Sequence, residues 1–192
     1  MLLFLLACTG GTESTPAVKE SVAIEDTGPD PAVDDARVRA LTDLPQGPNP
    51  CDQPFVVRVT DVVDGDTFWS SRDDGGGSVK VRMIGIDTPE ISHNGDPADC
   101  WANEAWAHSR EGLVGKLVWL TFDGECTDPY DRTLAYVFRD NTETGFWNRN
   151  LVRQGFATVF TFDNNDSFAS DIEADARAAR EEGLGLWSNC PG

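Results

Sequence analysis

From Phe55 onward the sequence predicts an α+β fold that is mainly β, with five short strands closed into a barrel and three attached helices. Three observations carry this expectation. Compact runs of β-branched and aromatic residues recur, separated by turns rich in Gly and Asp. Helical spacing of apolar residues is confined to a few segments in the middle and at the end of the chain. No internal repeat is present.

Phe55-Val56-Val57-Arg58-Val59 is the first strand, and Thr67-Phe68-Trp69 follows a Gly-containing turn as the second. Asp73 to Gly77 breaks the chain as a loop before Val79 to Ile84 resumes it. Ala102 to Leu113 suits a helix, with Ala102, Ala105, Trp106, Ser109 and Leu113 on one side. Lys116 to Phe122 alternates as a strand, and Thr133 to Arg139 is the fifth. Asn148 to Gln154 reads as a short helix stopped by Gly155. In the last helix Phe168, Ile172, Ala176, Ala179 and Gly183 recur at steps of three and four. Asp166 or Ser167 is its expected cap and Gly183 its stop. Strands and helices in this order point to an oligonucleotide-binding-type (OB) barrel.

The first fifty residues differ. Met1 to Ala7 is an apolar run ending at Cys8, too short to span a membrane, which takes ~20 apolar residues. Leu5-Leu6-Ala7-Cys8 resembles a bacterial lipoprotein signal, which makes residues 1–8 a signal segment with a lipobox and Cys8 the lipidation candidate. No Lys or Arg precedes the run, so a merely apolar N-terminus is the alternative. Residues 9–52 are rich in Pro, Gly, Thr and Asp with no sustained apolar period, and read as a disordered acidic tether. Residues 53–192 form the folded domain. The expected location is outside the cytoplasm, as an envelope lipoprotein or a secreted protein, with the membrane a partner through the anchor. No protein partner can be inferred.

Cysteine usage agrees with export. Cys51, Cys100, Cys126 and Cys190 make an even set with three possible pairings, and free thiols are the alternative. The favoured pairing joins Cys51 to Cys190 and Cys100 to Cys126. No two of them lie at zinc-ligand spacing. The net charge of −18 opposes nucleic-acid encounter, with −6 on the tether and −12 on the domain. A bound divalent cation would change the local sign.

Arg82-Met-Ile-Gly-Ile-Asp87-Thr88-Pro89-Glu90 places a guanidinium, two carboxylates and a turn within nine residues. Val63-Asp64-Gly65-Asp66-Thr67 lies upstream and Asp128-Pro129-Tyr130-Asp131-Arg132 downstream. Together they supply hard oxygen ligands for a divalent cation, a spare carboxylate and two arginines able to grip a phosphate. That chemistry suits phosphodiester hydrolysis. Singly the motifs have blander readings: an Asp-capped turn at Asp64, a solvated strand charge at Arg82, a surface ion pair of Arg132 with Asp131. Arg82 and Asp87, an odd number of residues apart, reach one site only if the strand bulges or ends before Asp87, which Gly85 and the Thr88-Pro89 pair allow. His93 and His108 read as surface residues, and the Trp residues as packing.

These motifs, with Asn103-Glu104-Ala105, Arg132 to Tyr136, Leu151-Val152-Arg153-Gln154-Gly155 and Gly185-Leu186-Trp187-Ser188, resemble the thermonuclease (staphylococcal nuclease-like) family in order and spacing. The resemblance implies a five-stranded OB barrel with three helices. It also implies calcium-dependent endonuclease action on DNA and RNA that leaves 3′-phosphate ends. By motif position it makes Asp66, Asp87 and the carbonyl of Thr88 the Ca2+ ligands. Arg82 and Arg132 would hold the phosphate, Glu90 would order or deprotonate the water, and Tyr130 would contact the nucleotide. Pro129 stands where the family often has lysine, the loop Ile91 to Asp99 has no Lys or Arg, and Thr161, beside Phe160 and Phe162, takes a tyrosine's place. These departures spare the catalytic set but imply weak, salt-sensitive binding. The rival expectation is a non-cleaving OB-fold binding module on the cell envelope.

Overall fold

The computed structural model describes residues 31–92, 95–161 and 164–191. Cys8, the lipobox, the tether up to residue 30, His93 and Phe162 lie outside the described residues. Five strands close as β1(Phe55–Val62), β2(Thr67–Arg72), β3(Ser78–Met83), β6(Thr133–Phe138) and β5(Leu117–Thr121), with β5 returning to β1. The pairs are antiparallel except β3 with β6, where Arg82 faces Leu134. Closure needs a long, bent strand, and β1 provides it: its register against β2 shifts between Val59 and Asp61. Alternate side chains then fill the interior: Val57, Val59, Phe68, Val81, Met83, Val118, Leu120, Ala135 and Val137 are all buried.

Three helices cover the barrel as the sequence predicts: α2(Ala102–Leu113), α3(Trp147–Arg153) and α4(Ala169–Glu182). Gly183 ends α4 in the left-handed region at φ 64°. Its start differs from expectation. Phe168 is the cap residue and makes no side-chain cap bond. Ser167 is engaged elsewhere, donating from its N–H (3.0 Å) and hydroxyl (2.9 Å) to the buried carboxylate of Asp123. Asp123 also accepts the Tyr136 hydroxyl at 2.9 Å, so one side chain ties β5, β6 and the approach to α4 together. Burial and this carboxylate both push the Tyr136 phenol up.

Two short strands, β4(Ile86–Asp87) and β7(Thr158–Val159), pair antiparallel outside the barrel. They exist because β3 stops at Met83 and Gly85 turns the chain at φ 83°. A Cβ at Gly85 would also lie 2.5 Å from Cδ1 of Ile172, a fully buried residue of α4. Gly85→Ala is therefore expected to lose about 1–3 kcal/mol of stability, read by urea unfolding. A change below about 0.5 kcal/mol, the ordinary scatter of surface substitutions, would contradict this account of the turn.

The tether expectation fails over 31–52. Helix α1(Pro31–Arg39) docks on the barrel by burying Val38, whose carbonyl accepts the Trp119 indole N–H at 2.7 Å. Arg39 pairs with Asp73, and Arg58 with Asp35. Beyond α1, Thr121 donates to the carbonyl of Pro45, and the backbone N–H groups of Gly47 and Cys51 bond to Phe122 and Asp123. Docking here rests on one buried valine, two ion pairs and hydrogen bonds to backbone groups, which leave no periodic apolar signal.

The favoured disulfide pairing is also corrected. Cys51 joins Cys126 and Cys100 joins Cys190, each with Cα atoms 5.7 Å apart. The bond from Cys51 N–H to Asp123 places Cys51 at the end of β5, beside Cys126. The short helix α5(Leu186–Asn189) brings Cys190 to the start of α2. Each bridge closes a loop of 75 or 90 residues, worth up to about 4–5 kcal/mol on the chain-entropy account.

Candidate active site

The turn between β1 and β2 and the segment after β3 meet at one end of the barrel. Asp64 accepts the N–H of Asp66 at 3.2 Å, the Asp-capped turn expected of this motif. Gly65 lets the turn press against Thr88, since a Cβ there would lie 2.6 Å from Thr88 Cγ2. Asp66, buried, then accepts the backbone N–H of Thr88 at 2.8 Å and the hydroxyl of Thr67 at 3.0 Å.

Arg82 is the hub. One guanidinium nitrogen donates to the carbonyls of Met83 (2.7 Å) and Ile86 (2.9 Å) and lies 3.0 Å from Asp66. The other donates to Asp87 at 2.8 Å. The turn at Gly85 therefore brings Arg82 and Asp87 to one spot, as their odd spacing requires. Arg82 and Asp66 are buried while the Asp87 carboxylate is about half exposed (49%), so the cluster opens to solvent at Asp87. Burial pushes the Asp66 carboxyl up to about 7, with Arg82 pulling it down and the Asp64 charge adding to the rise. Asp87 is also raised, chiefly by burial and against the pull of Arg82.

Glu90 sits at the rim, exposed, three residues past Asp87. Asp87, Thr88, Pro89 and Glu90 share a cavity of about 330 Å³ with Asp99, Thr158 and the Cys100–Cys190 bridge. A larger cavity of about 400 Å³ lies between α1 and the barrel, lined by Val38, Leu117 and Arg139 among others. None of the sequence-expected site residues lines it, and its place under α1 marks a packing gap rather than the chemistry.

Arg132 is set apart from this cluster. Its side chain bonds to Asp128 at 2.6 Å, not to Asp131, and lies 5.4 Å from the ring of Tyr130. It immediately precedes β6, two residues before Leu134, the partner of Arg82, roughly 7 Å along the chain. Asp128 also accepts the backbone N–H groups of Tyr130 and Arg132, both at 2.9 Å. Burial works to raise Asp128, but the bonds from Arg132 and Tyr130 outweigh it and hold the carboxyl low. Tyr130 is 80% exposed.

His108 is not the surface residue the sequence suggested. It stacks between Trp147 (5.0 Å) and Phe156 (4.3 Å) and bonds Asn150, so burial holds its pKa down. Trp147 is core, whereas Trp69 is 45% exposed. Asp99 and Asp128 were not singled out from sequence, although each sits within a segment read there. For Asp128 the available signal was its place four positions before Arg132, whereas Asp99, nine residues from Glu90, offered none.

The donors around Asp66 fit a hard cation. Two carboxylates and a backbone turn are all oxygen, and the Thr88 hydroxyl is buried without a hydrogen-bond partner. Among the described residues no three acidic, His or Cys side chains form a closed cage. A cation held here would keep positions for water and a phosphate.

The family profile described as staphylococcal nuclease homologue matches residues 80–189, from β3 through α5. That span includes Arg82, Asp87, Thr88, Glu90 and Arg132, and begins after Asp66. A protein named thermonuclease from Staphylococcus intermedius is 33% identical over 126 residues, covering 66% of this chain and 72% of its own. A thermonuclease from Staphylococcus hyicus is 32% identical over 132 residues, covering 69% and 75%. A probable endonuclease from Zygosaccharomyces rouxii is 35% identical over 118 residues, covering 58% of this chain and 41% of its own. With the closed five-stranded barrel and its helices, these matches establish that the chain belongs to the staphylococcal nuclease homologue family.

Proposed function

We propose that this protein is a calcium-dependent endonuclease that hydrolyses phosphodiester bonds of DNA or RNA and leaves 3′-phosphate ends. The observation that carries the reading is the convergence of Asp66, Arg82, Asp87 and Thr88 at a single spot with Glu90 on its open side. The relatives named thermonuclease and endonuclease support it.

In this reading Asp66, Asp87 and the Thr88 carbonyl hold the cation. When bound, it supplies positive charge that polarises a phosphoryl oxygen and lowers the pKa of water. Arg82, fixed by two carbonyls and two carboxylates, has its fork preset and loses little entropy in gripping a phosphate. Arg132, braced by Asp128 beside exposed Tyr130, takes an oxygen of the same ester or of its neighbour while the Tyr130 ring lies along the nucleotide. Glu90 accepts the proton of the attacking water. As charge grows on phosphorus, the two guanidiniums bind it more tightly than the ground state.

Plasmid DNA incubated with the protein and calcium is expected to be cut, with 3′-phosphate ends recovered by end-group analysis. Chelator should abolish the cutting, and moderate salt should suppress it, because binding that starts weak on an acidic protein has little affinity to lose before cutting fails. Intact DNA at every calcium concentration would overturn the proposal in favour of a binding module. The paired cysteines support action in an oxidising compartment outside the cytoplasm. Lipid anchoring at Cys8 is a separate proposal, read directly by the intact mass of the mature protein.

A further inference from the structure

The Cys100–Cys190 bridge lines the same cavity as Asp87, Thr88 and Glu90, although it lies far from them in sequence. Next to it stands Asp99. Its carboxylate accepts the backbone N–H of Glu90 at 3.1 Å, and its own N–H donates to the Glu90 carbonyl at 2.9 Å. Two reciprocal bonds thus pin both polar groups of the Glu90 backbone to one residue. The neighbour of that residue, Cys100, is covalently held to Cys190 at the end of α5. Helix α5 is anchored in turn: the N–H of Leu186 donates to the carbonyl of Gly155 at 2.9 Å, just past α3.

Glu90 lies in a stretch without regular secondary structure, between Pro89 and a loop with no Lys or Arg. A carboxylate that must meet a water within hydrogen-bond reach needs its backbone fixed, and a loop does not supply this by itself. Asp99 and the bridge supply it here. We infer that Asp99 is a positioning residue for Glu90, and that the Cys100–Cys190 disulfide holds Asp99 in place, so that full nuclease activity requires this bridge to be oxidised. The inference rests on the nuclease reading above and names what makes its water-activating group competent. The chain would then be active where disulfides persist and weak wherever they are reduced. Restoring activity needs only a thiol oxidant of the ordinary disulfide-exchange class: two thiolates of Cys100 and Cys190 form one S–S bond, and the two electrons pass to an external disulfide, which is reduced to two thiols.

Asp99 also carries a charge close enough to act on Asp87, so removing it alters two things at once. A pair of variants separates them. Asp99→Asn and Asp99→Ala both lose the charge, but only Asn keeps an oxygen to accept the Glu90 N–H. Four proteins are compared with calcium and DNA: wild type, Asp99→Asn, Asp99→Ala, and the double variant Cys100→Ser/Cys190→Ser. For each, kcat, KM, the calcium Kd and hydrogen exchange at the Glu90 amide are measured, well below the unfolding temperature. Asp99→Ala is expected to lose kcat by roughly ten- to a hundredfold relative to Asp99→Asn, and the double variant, which keeps the Asp99 charge, by a similar factor relative to the wild type, each with faster exchange at Glu90 and with KM and calcium Kd near those of its reference. Equal kcat and equal Glu90 exchange in Asp99→Asn and Asp99→Ala would overturn the positioning role. Wild-type kcat in the double variant would overturn the role of the bridge. If the oxidised wild type cuts nothing, the nuclease reading fails, and the exchange pattern alone then decides whether Asp99 and the bridge fix Glu90.

Discussion

Arg82→Ala is expected to lower cleavage by about a hundred- to a thousandfold, as loss of one preorganised donor to a developing oxyanion does, and to destabilise the fold by about 3–5 kcal/mol at neutral pH. The second effect follows from burial. Arg82 and Asp66 are both nearly inaccessible, and deleting the guanidinium leaves a buried carboxylate facing Asp64 with no counter-charge. The carbonyls of Met83 and Ile86 lose their donor as well. The exposed arm to Asp87 contributes little of this. The sign with pH is definite. Asp66 has a folded pKa raised above its unfolded value, so its ionisation weakens the fold as pH rises through about 7. Without Arg82 the folded pKa climbs further, so this loss extends to higher pH, and the stability deficit should shrink towards acid pH, where Asp66 is protonated in both proteins. Urea unfolding at acid and neutral pH reads it. A deficit independent of pH would mean that the loss comes from packing alone.

Glu90→Gln is expected to lower kcat by about a hundred- to ten-thousandfold with KM and stability nearly unchanged. Gln matches Glu in size, and the bonds that fix this residue run through its backbone to Asp99. The substitution therefore removes the proton acceptor and leaves its placement intact. Calcium binding should persist, because Asp66 and Asp87 are untouched. Single-turnover cleavage with saturating calcium separates the chemical step from product release. Activity within tenfold of wild type would remove Glu90 from the chemistry.

Much of the fold was legible because its signals are local. Barrel strands of five to eight residues, the periodic face of α4 and the glycine at Gly183 are written in neighbouring residues. The meeting of Arg82 with Asp87 was also legible, since Gly85 announced the turn that spacing demanded. What was missed depends on partners far away in sequence. Disulfide connectivity is fixed by where Cys51 and Cys190 are carried by other bonds, and nothing in their spacing encodes it. Helix α1 was missed because one valine, two ion pairs and a bond from the Trp119 indole dock it, none of which leaves an apolar period. His108 looked like a polar residue on a helix, yet two aromatic rings from separate elements enclose it. The bracing of Arg132 by Asp128 was hidden by the nearer Asp131, which a positive φ of 61° turns into a different position.

Calorimetric titration of the protein with calcium tests the central claim most directly, because it reads the ion without substrate or turnover. The account requires one site per chain that weakens as pH falls below about 7, where a proton competes for Asp66. Asp66→Ala and Asp87→Ala should each abolish it or weaken it severely. No heat of binding in the wild type, or a calcium affinity indifferent to both substitutions and to pH, would contradict the assignment of these carboxylates to a cation.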